Sequence, residues 1–90
     1  MTLGLYTIWD KVAESVQGGV HVFPHDAVAI RFFRDIMDAP DTSLAKHPED
    51  YELHCVGSFL PGADCVRSEP SRVLLTGAAL VAARSQEAGK

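Results

Sequence analysis

The chain opens with an apolar run, Leu3-Gly4-Leu5-Tyr6-Thr7-Ile8-Trp9, rich in β-branched and aromatic residues, the composition of a strand. With a two-residue period, Leu3, Leu5, Thr7 and Trp9 share one face, and Gly4, Tyr6 and Ile8 the other. Apolar groups on both faces put this strand at the centre of a sheet or under cover on both sides. Residues 10–19 read as a polar connection ending in Gly18-Gly19, and residues 20–23 as a short second strand stopped by Pro24. Residues 26–38 switch to helical spacing. Ala29, Phe33, Ile36 and Met37 fall on one side, flanked by Ile30 and Phe32, while Arg31, Arg34, Asp35 and Asp38 face water. His25 or Asp26 is placed to cap this helix, and Ala39-Pro40 ends it.

Residues 41–50 read as a loop with one helical turn after Ser43. Residues 51–59 alternate cleanly. Tyr51, Leu53, Cys55, Gly57 and Phe59 point one way, and Glu52, His54, Val56 and Ser58 the other, as in a strand with one buried face. Leu60-Pro61-Gly62-Ala63 is a turn, and residues 64–68 return as a hairpin partner. That register sets Val56 opposite Arg67 and Ser58 opposite Cys65. Glu69-Pro70-Ser71 breaks the chain. Residues 72–75 followed by a helix from Gly77 is one reading of an ambiguous stretch, and residues 85–90 look frayed. The expected fold is α+β, one domain over 1–90. Its small antiparallel β-sheet, of residues 3–9, 51–59 and 64–68, packs against one main α-helix, with a short C-terminal helix allowed.

Composition narrows the class. Ninety residues, 47% of them apolar, suit one small domain with a thin core. The formal net charge of −4 comes from 8 basic and 12 acidic residues. The excess is spread along the chain, which excludes a basic nucleic-acid arm. No apolar stretch approaches the roughly 20 residues of a membrane span, and no signal peptide is read at the start. Two cysteines are too few for a disulfide scaffold, so a reducing cytoplasm is the default. Cys55 and Cys65 fall on opposite faces of the hairpin, which predicts free thiols.

Candidate chemistry is sparse. His21, His25, His47 and His54 lack metal-ligand spacing, and no Cys-x-x-Cys occurs. His54 and Cys55 are adjacent on a strand and point apart, so they form no nucleophile pair. Glu49-Asp50 reads as a solvated turn, and Gly18-Gly19 lacks the features of a phosphate loop. The expectation is no enzyme, no cofactor and no metal. A nucleic-acid face is the remaining option. His54, Ser58 and Arg67 would share the polar face of the sheet, with Tyr6 beside them if the first strand joins it. Arg31, Arg34, Lys46 and Arg67 are the candidates for DNA phosphates, and Tyr6 or Tyr51 for base stacking.

The run Lys46-His47-Pro48-Glu49-Asp50-Tyr51-Glu52-Leu53, followed by Val56-Gly57-Ser58-Phe59, resembles the small nonstructural protein of gokushovirus-type microviruses, which are single-stranded DNA phages. The opening strand through Asp10 and the Phe23-Pro24-His25-Asp26 helix entry also match. The resemblance covers residues 3–60, with a looser echo over 70–80. His25, where the family prefers asparagine, and the less acidic turn at 60–63 depart from it. The resemblance implies a noncatalytic accessory protein that binds single-stranded DNA during viral genome synthesis and packaging in the host bacterial cytoplasm. The alternative is a protein-interaction module recruiting a phage or host replication or assembly factor without touching DNA. The two apolar faces of the first strand further predict a homo-oligomer, at least a dimer.

Overall fold

A computed structural model describes residues 2–88. Its elements are β1 (Leu3–Asp10), β2 (Ser15–Phe23), α1 (Asp26–Asp38), α2 (Ser43–Lys46), β3 (Tyr51–Leu60), β4 (Cys65–Thr76) and α3 (Gly77–Ala88). Short 3-10 turns at Pro48–Asp50 and Pro61–Ala63 lead into β3 and out of it. All neighbouring strands are antiparallel, in the order β2-β1-β3-β4. The expected small sheet on one main helix is therefore incorrect: the sheet has four strands and is the larger part of the fold, and three helices accompany it.

Each departure has a local cause. β2 starts at Ser15, inside the expected connection, because Asp10 turns the chain sharply. Its Oδ1 accepts from the backbone N–H groups of Val12 and Ala13 at 3.0 and 3.1 Å, and Glu14 takes a left-handed φ of 53°. The pairing of β1 with β2 then slips between Tyr6↔His21 and Ile8↔Gln17. Gly18, at φ 81°, occupies this bulge, and the break in period conceals the strand in the sequence. β4 likewise runs through Glu69-Pro70-Ser71. The pairs Cys55↔Arg72 and Gly57↔Ser68 bracket those three residues in a second bulge. Proline's missing N–H is tolerated there because β4 is an edge strand. Asp64 closes the 61–63 turn at a left-handed φ of 52°. The register becomes Ser58↔Arg67 and Leu60↔Cys65, not the pairing expected from the sequence.

The helices share one face of the sheet. Tyr6, Ile8, Tyr51, Leu53 and Cys55 from the strands meet Ala29, Phe33 and Met37 of α1, Leu44 of α2 and Leu80 of α3. Phe33 is 0% and Leu53 1% exposed, as expected of core residues. Ile36 packs at the margin, and Phe59 is only half-buried. Thr42 joins α1 to α2. Its hydroxyl reaches the Ile36 and Ala39 carbonyls at 3.0 and 2.9 Å and accepts from the Ala45 N–H at 3.1 Å. His25 takes the N-cap position of α1 without a side-chain cap bond. Asp38 meets Arg84 of α3 rather than Arg34. α3 runs on through the stretch read as frayed; residues 89 and 90 lie outside the described part.

Candidate nucleic-acid interface

The face of the sheet turned away from the helices is open. β1 contributes Leu5, Thr7 and Trp9 to it, because their neighbours Tyr6 and Ile8 point into the core. Cross-strand pairing sets Leu5 opposite Val22, Trp9 opposite Val16 and Glu52, and Thr7 opposite His54, with Val73 beyond His54 on β4. The indole of Trp9 stacks on the His54 imidazole, ring centroids 6.3 Å apart and planes 17° from parallel. His54 Nε2 lies 3.0 Å from Glu52 Oε1, which fixes the imidazole. Thr7 is buried beside these rings, whereas Val16, Val22 and Val73 are 41%, 47% and 52% exposed. The result is an aromatic pair only partly open to water, the His54 side chain 12% exposed, bordered by valines and by Glu52, and none of these paired positions is Lys or Arg.

The polar centre of the molecule lies on the other face, at the start of α1. Tyr6 Oη donates to Asp26 Oδ1 at 2.8 Å, and Arg72 Nη1 donates to Asp26 Oδ2 at 3.3 Å. An open depression beside them also includes His25, Cys55 and Ser58. The hydrogen bond from Tyr6, helped by Arg72, holds the Asp26 carboxyl below its usual range. Burial, followed by the bond to Asp26, pushes the Tyr6 phenol above its ordinary value. The two bonds tie β1, α1 and β4 together. Among the described residues, no group of three or more His, Cys, Asp or Glu side chains is placed to hold a metal.

Of the residues singled out in the sequence, Tyr6 and Tyr51 are 2% and 6% exposed. A base cannot stack on either ring without unfolding the core, so their assignment as stacking residues is corrected. Tyr6 pairs across from Cys55, on the helix side, and not with His54. Arg31, Arg34, Lys46 and Arg67 are all exposed, but they are distributed over α1, α2 and β4. Arg34 lines a depression with Asp38, Leu80 and Arg84, while Lys46 lines a separate one with His47, Glu49 and Asp50. The sequence reading overlooked Trp9, although its alternation with Leu5 and Thr7 was a usable signal.

No helix among the described residues is long and apolar enough to cross a membrane. No curated protein and no solved structure matches the chain. A family model does match, over residues 3–80, most of the sheet and helical layer just described. The chain belongs to the Phage ORF5 protein family.

Proposed function

We propose that this protein is a noncatalytic accessory protein of a gokushovirus-type phage, binding single-stranded DNA on the open face of its sheet during genome synthesis and packaging. The host bacterial cytoplasm is where such DNA is made. The observation carrying this reading is the Trp9–His54 stack on a face free of helices. Unpaired bases stack on aromatic rings carried by sheets, whereas a duplex keeps its bases out of reach. The surrounding valines suit the flat faces of bases. Phosphates would have to meet cations at the margins, because the paired positions of the face carry none; Arg67, across from Ser58 on the helix side, would have to reach round the β4 edge. Binding should therefore show a shallow salt dependence, since few counterions are released.

A second reading has its own support. The same lack of cations, with Val16, Val22 and Val73 exposed, suits a protein partner recruited by apolar contact. Fluorescence anisotropy with labelled single- and double-stranded oligonucleotides over a salt series separates the two. The DNA reading expects saturable binding of single strands, weaker binding of duplex, and a modest loss with salt. No binding at low salt by folded protein would remove it and promote the recruitment reading.

A further inference from the structure

We propose that β2 is the pairing edge of a symmetric homodimer in which the sheets of two copies join, β2 to β2, into one eight-stranded sheet. The two free edges of the sheet are built differently. β4 carries Arg67, Glu69, Pro70 and Arg72, the charges and proline with which natural sheets block edge pairing. β2, SVQGGVHVF, has no Asp, Glu, Lys, Arg or Pro. Instead it exposes the β-branched residues Val16, Val20 and Val22, at 41%, 59% and 47%. One edge is guarded by charge and proline, and the other only by the bulge at Gly18.

The neutral β2 seam admits a second copy. Each chain carries −4, so two copies repel overall, and a seam without Asp, Glu, Lys or Arg is where they meet at least cost. An antiparallel two-fold sets β2 against itself, with no like charges opposed across the new ladder. The same symmetry makes the contact self-complementary and closed. Pairing of β2 with β4 would instead propagate into a fibre, which Pro70 and the neighbouring charges oppose. Space is available, because a Cβ built on Gly18 or Gly19 would meet nothing within 4 Å. A two-fold perpendicular to the sheet turns the open faces of both copies the same way, giving one continuous surface with a Trp9–His54 pair in each half.

The test is sedimentation velocity at micromolar concentration. The wild type should sediment at twice the 9.7 kDa chain mass. Val20→Lys, which has no cross-strand partner on β1, should raise the dimer dissociation constant at least about tenfold by opposing like charges near the two-fold. Val66→Lys, on the guarded edge, should leave it unchanged. A monomeric wild type, a persistent Val20→Lys dimer, or equal loss in both variants would overturn the proposal. Hydrogen exchange on the wild type needs no variant. Amide protection over residues 15–23 should rise with protein concentration, and concentration-independent protection would count against the dimer. None of these readouts depends on DNA, so a failure here is distinct from a failure of the DNA reading.

Discussion

The Tyr6 hydroxyl donates to Asp26, the first residue of α1, at 2.8 Å. Through this one carboxylate, the central strand is joined to the main helix and, by Arg72, to the β4 edge. The two bonds differ in weight. The Arg72–Asp26 pair is half in water, its side chains 57% and 45% exposed, and such pairs contribute little. The Tyr6 ring is 2% exposed, so its hydroxyl depends on Asp26 for a partner.

Tyr6→Phe should therefore destabilise the fold by about 1–2 kcal/mol, the low end for a hydrogen bond to a charged group because water still reaches Asp26. Urea denaturation at neutral pH measures it. No change would show that the bond is replaced by solvent at no cost. Arg72→Ala should cost less than Tyr6→Phe.

The same pair shapes the pH profile. Asp26 is held below its usual range, so its contribution is present above the unfolded carboxyl pKa and is lost as pH falls through the folded value. Tyr6 is raised, so its contribution is intact below an unfolded pKa of about 10 and is lost as pH rises above that. Tyr51 is also raised, chiefly by burial. Stability should thus fall at both ends, below about pH 4 and above about pH 10. Tyr6→Phe should reduce the alkaline loss without abolishing it, because Tyr51 remains. Thermal melts across pH check this, and an unchanged alkaline limb in the variant would refute the assignment.

Phe33 and Phe59 both read as core residues in the sequence, yet their environments differ. Phe33 is fully enclosed, while Phe59, opposite Leu3 near the end of the sheet, is only partly buried. Phe33→Ala should cost roughly 3–5 kcal/mol, a threat to a domain of ordinary marginal stability. Phe59→Ala should cost clearly less. Equal losses in denaturant melts would mean that the free end of the sheet is covered in solution.

Where the sequence was legible, one short stretch settled the question. The alternation from Tyr51 to Cys55 needs only its own residues, and Leu53 and Cys55 are buried as their positions imply; beyond Cys55 the register slips, and Phe59, expected on the same side, pairs with Leu3 instead. α1 lies between two prolines with its apolar side continuous. β2 and β4 were harder, because each contains residues that break strands unless the strand lies at an edge. Whether Pro70 breaks or merely bulges the chain depends on what lies beside it, a tertiary fact. The site failed for a related reason. Tyr6 and Trp9 lie on opposite faces of one strand, and the alternation alone does not say which face the helices cover.

Gly77 begins α3, where a side chain would overlap the Pro48 carbonyl and press on the Met37 methyl. Gly77→Ala must push α3 away from the 3-10 turn at Pro48–Asp50, loosening Leu80 in the core. A loss of about 1–3 kcal/mol is expected, despite alanine's better helix propensity. A stabilised variant in thermal melts would show that α3 docks differently in solution.

Trp9 is the only tryptophan in the chain, so its fluorescence reports on the open face without a label. A base stacking on the Trp9–His54 pair should quench it as single-stranded DNA is added, with the same midpoint as anisotropy. Removing the ring should cost what one stacked base contributes, about 1–3 kcal/mol, or roughly 5- to 150-fold in affinity. Trp9→Ala also uncovers Thr7, so Trp9→Phe is the needed companion: it keeps a stacking ring and should recover much of the loss. Tyr51→Phe, which changes only a buried hydroxyl, should leave affinity unchanged. The paired reversal Arg31→Glu with Arg67→Glu probes the phosphates separately and should flatten the salt slope if either cation meets DNA. Binding that survives Trp9→Ala in a folded variant would move the DNA off this face. If quenching is also absent, the face around Trp9 is left for a protein partner.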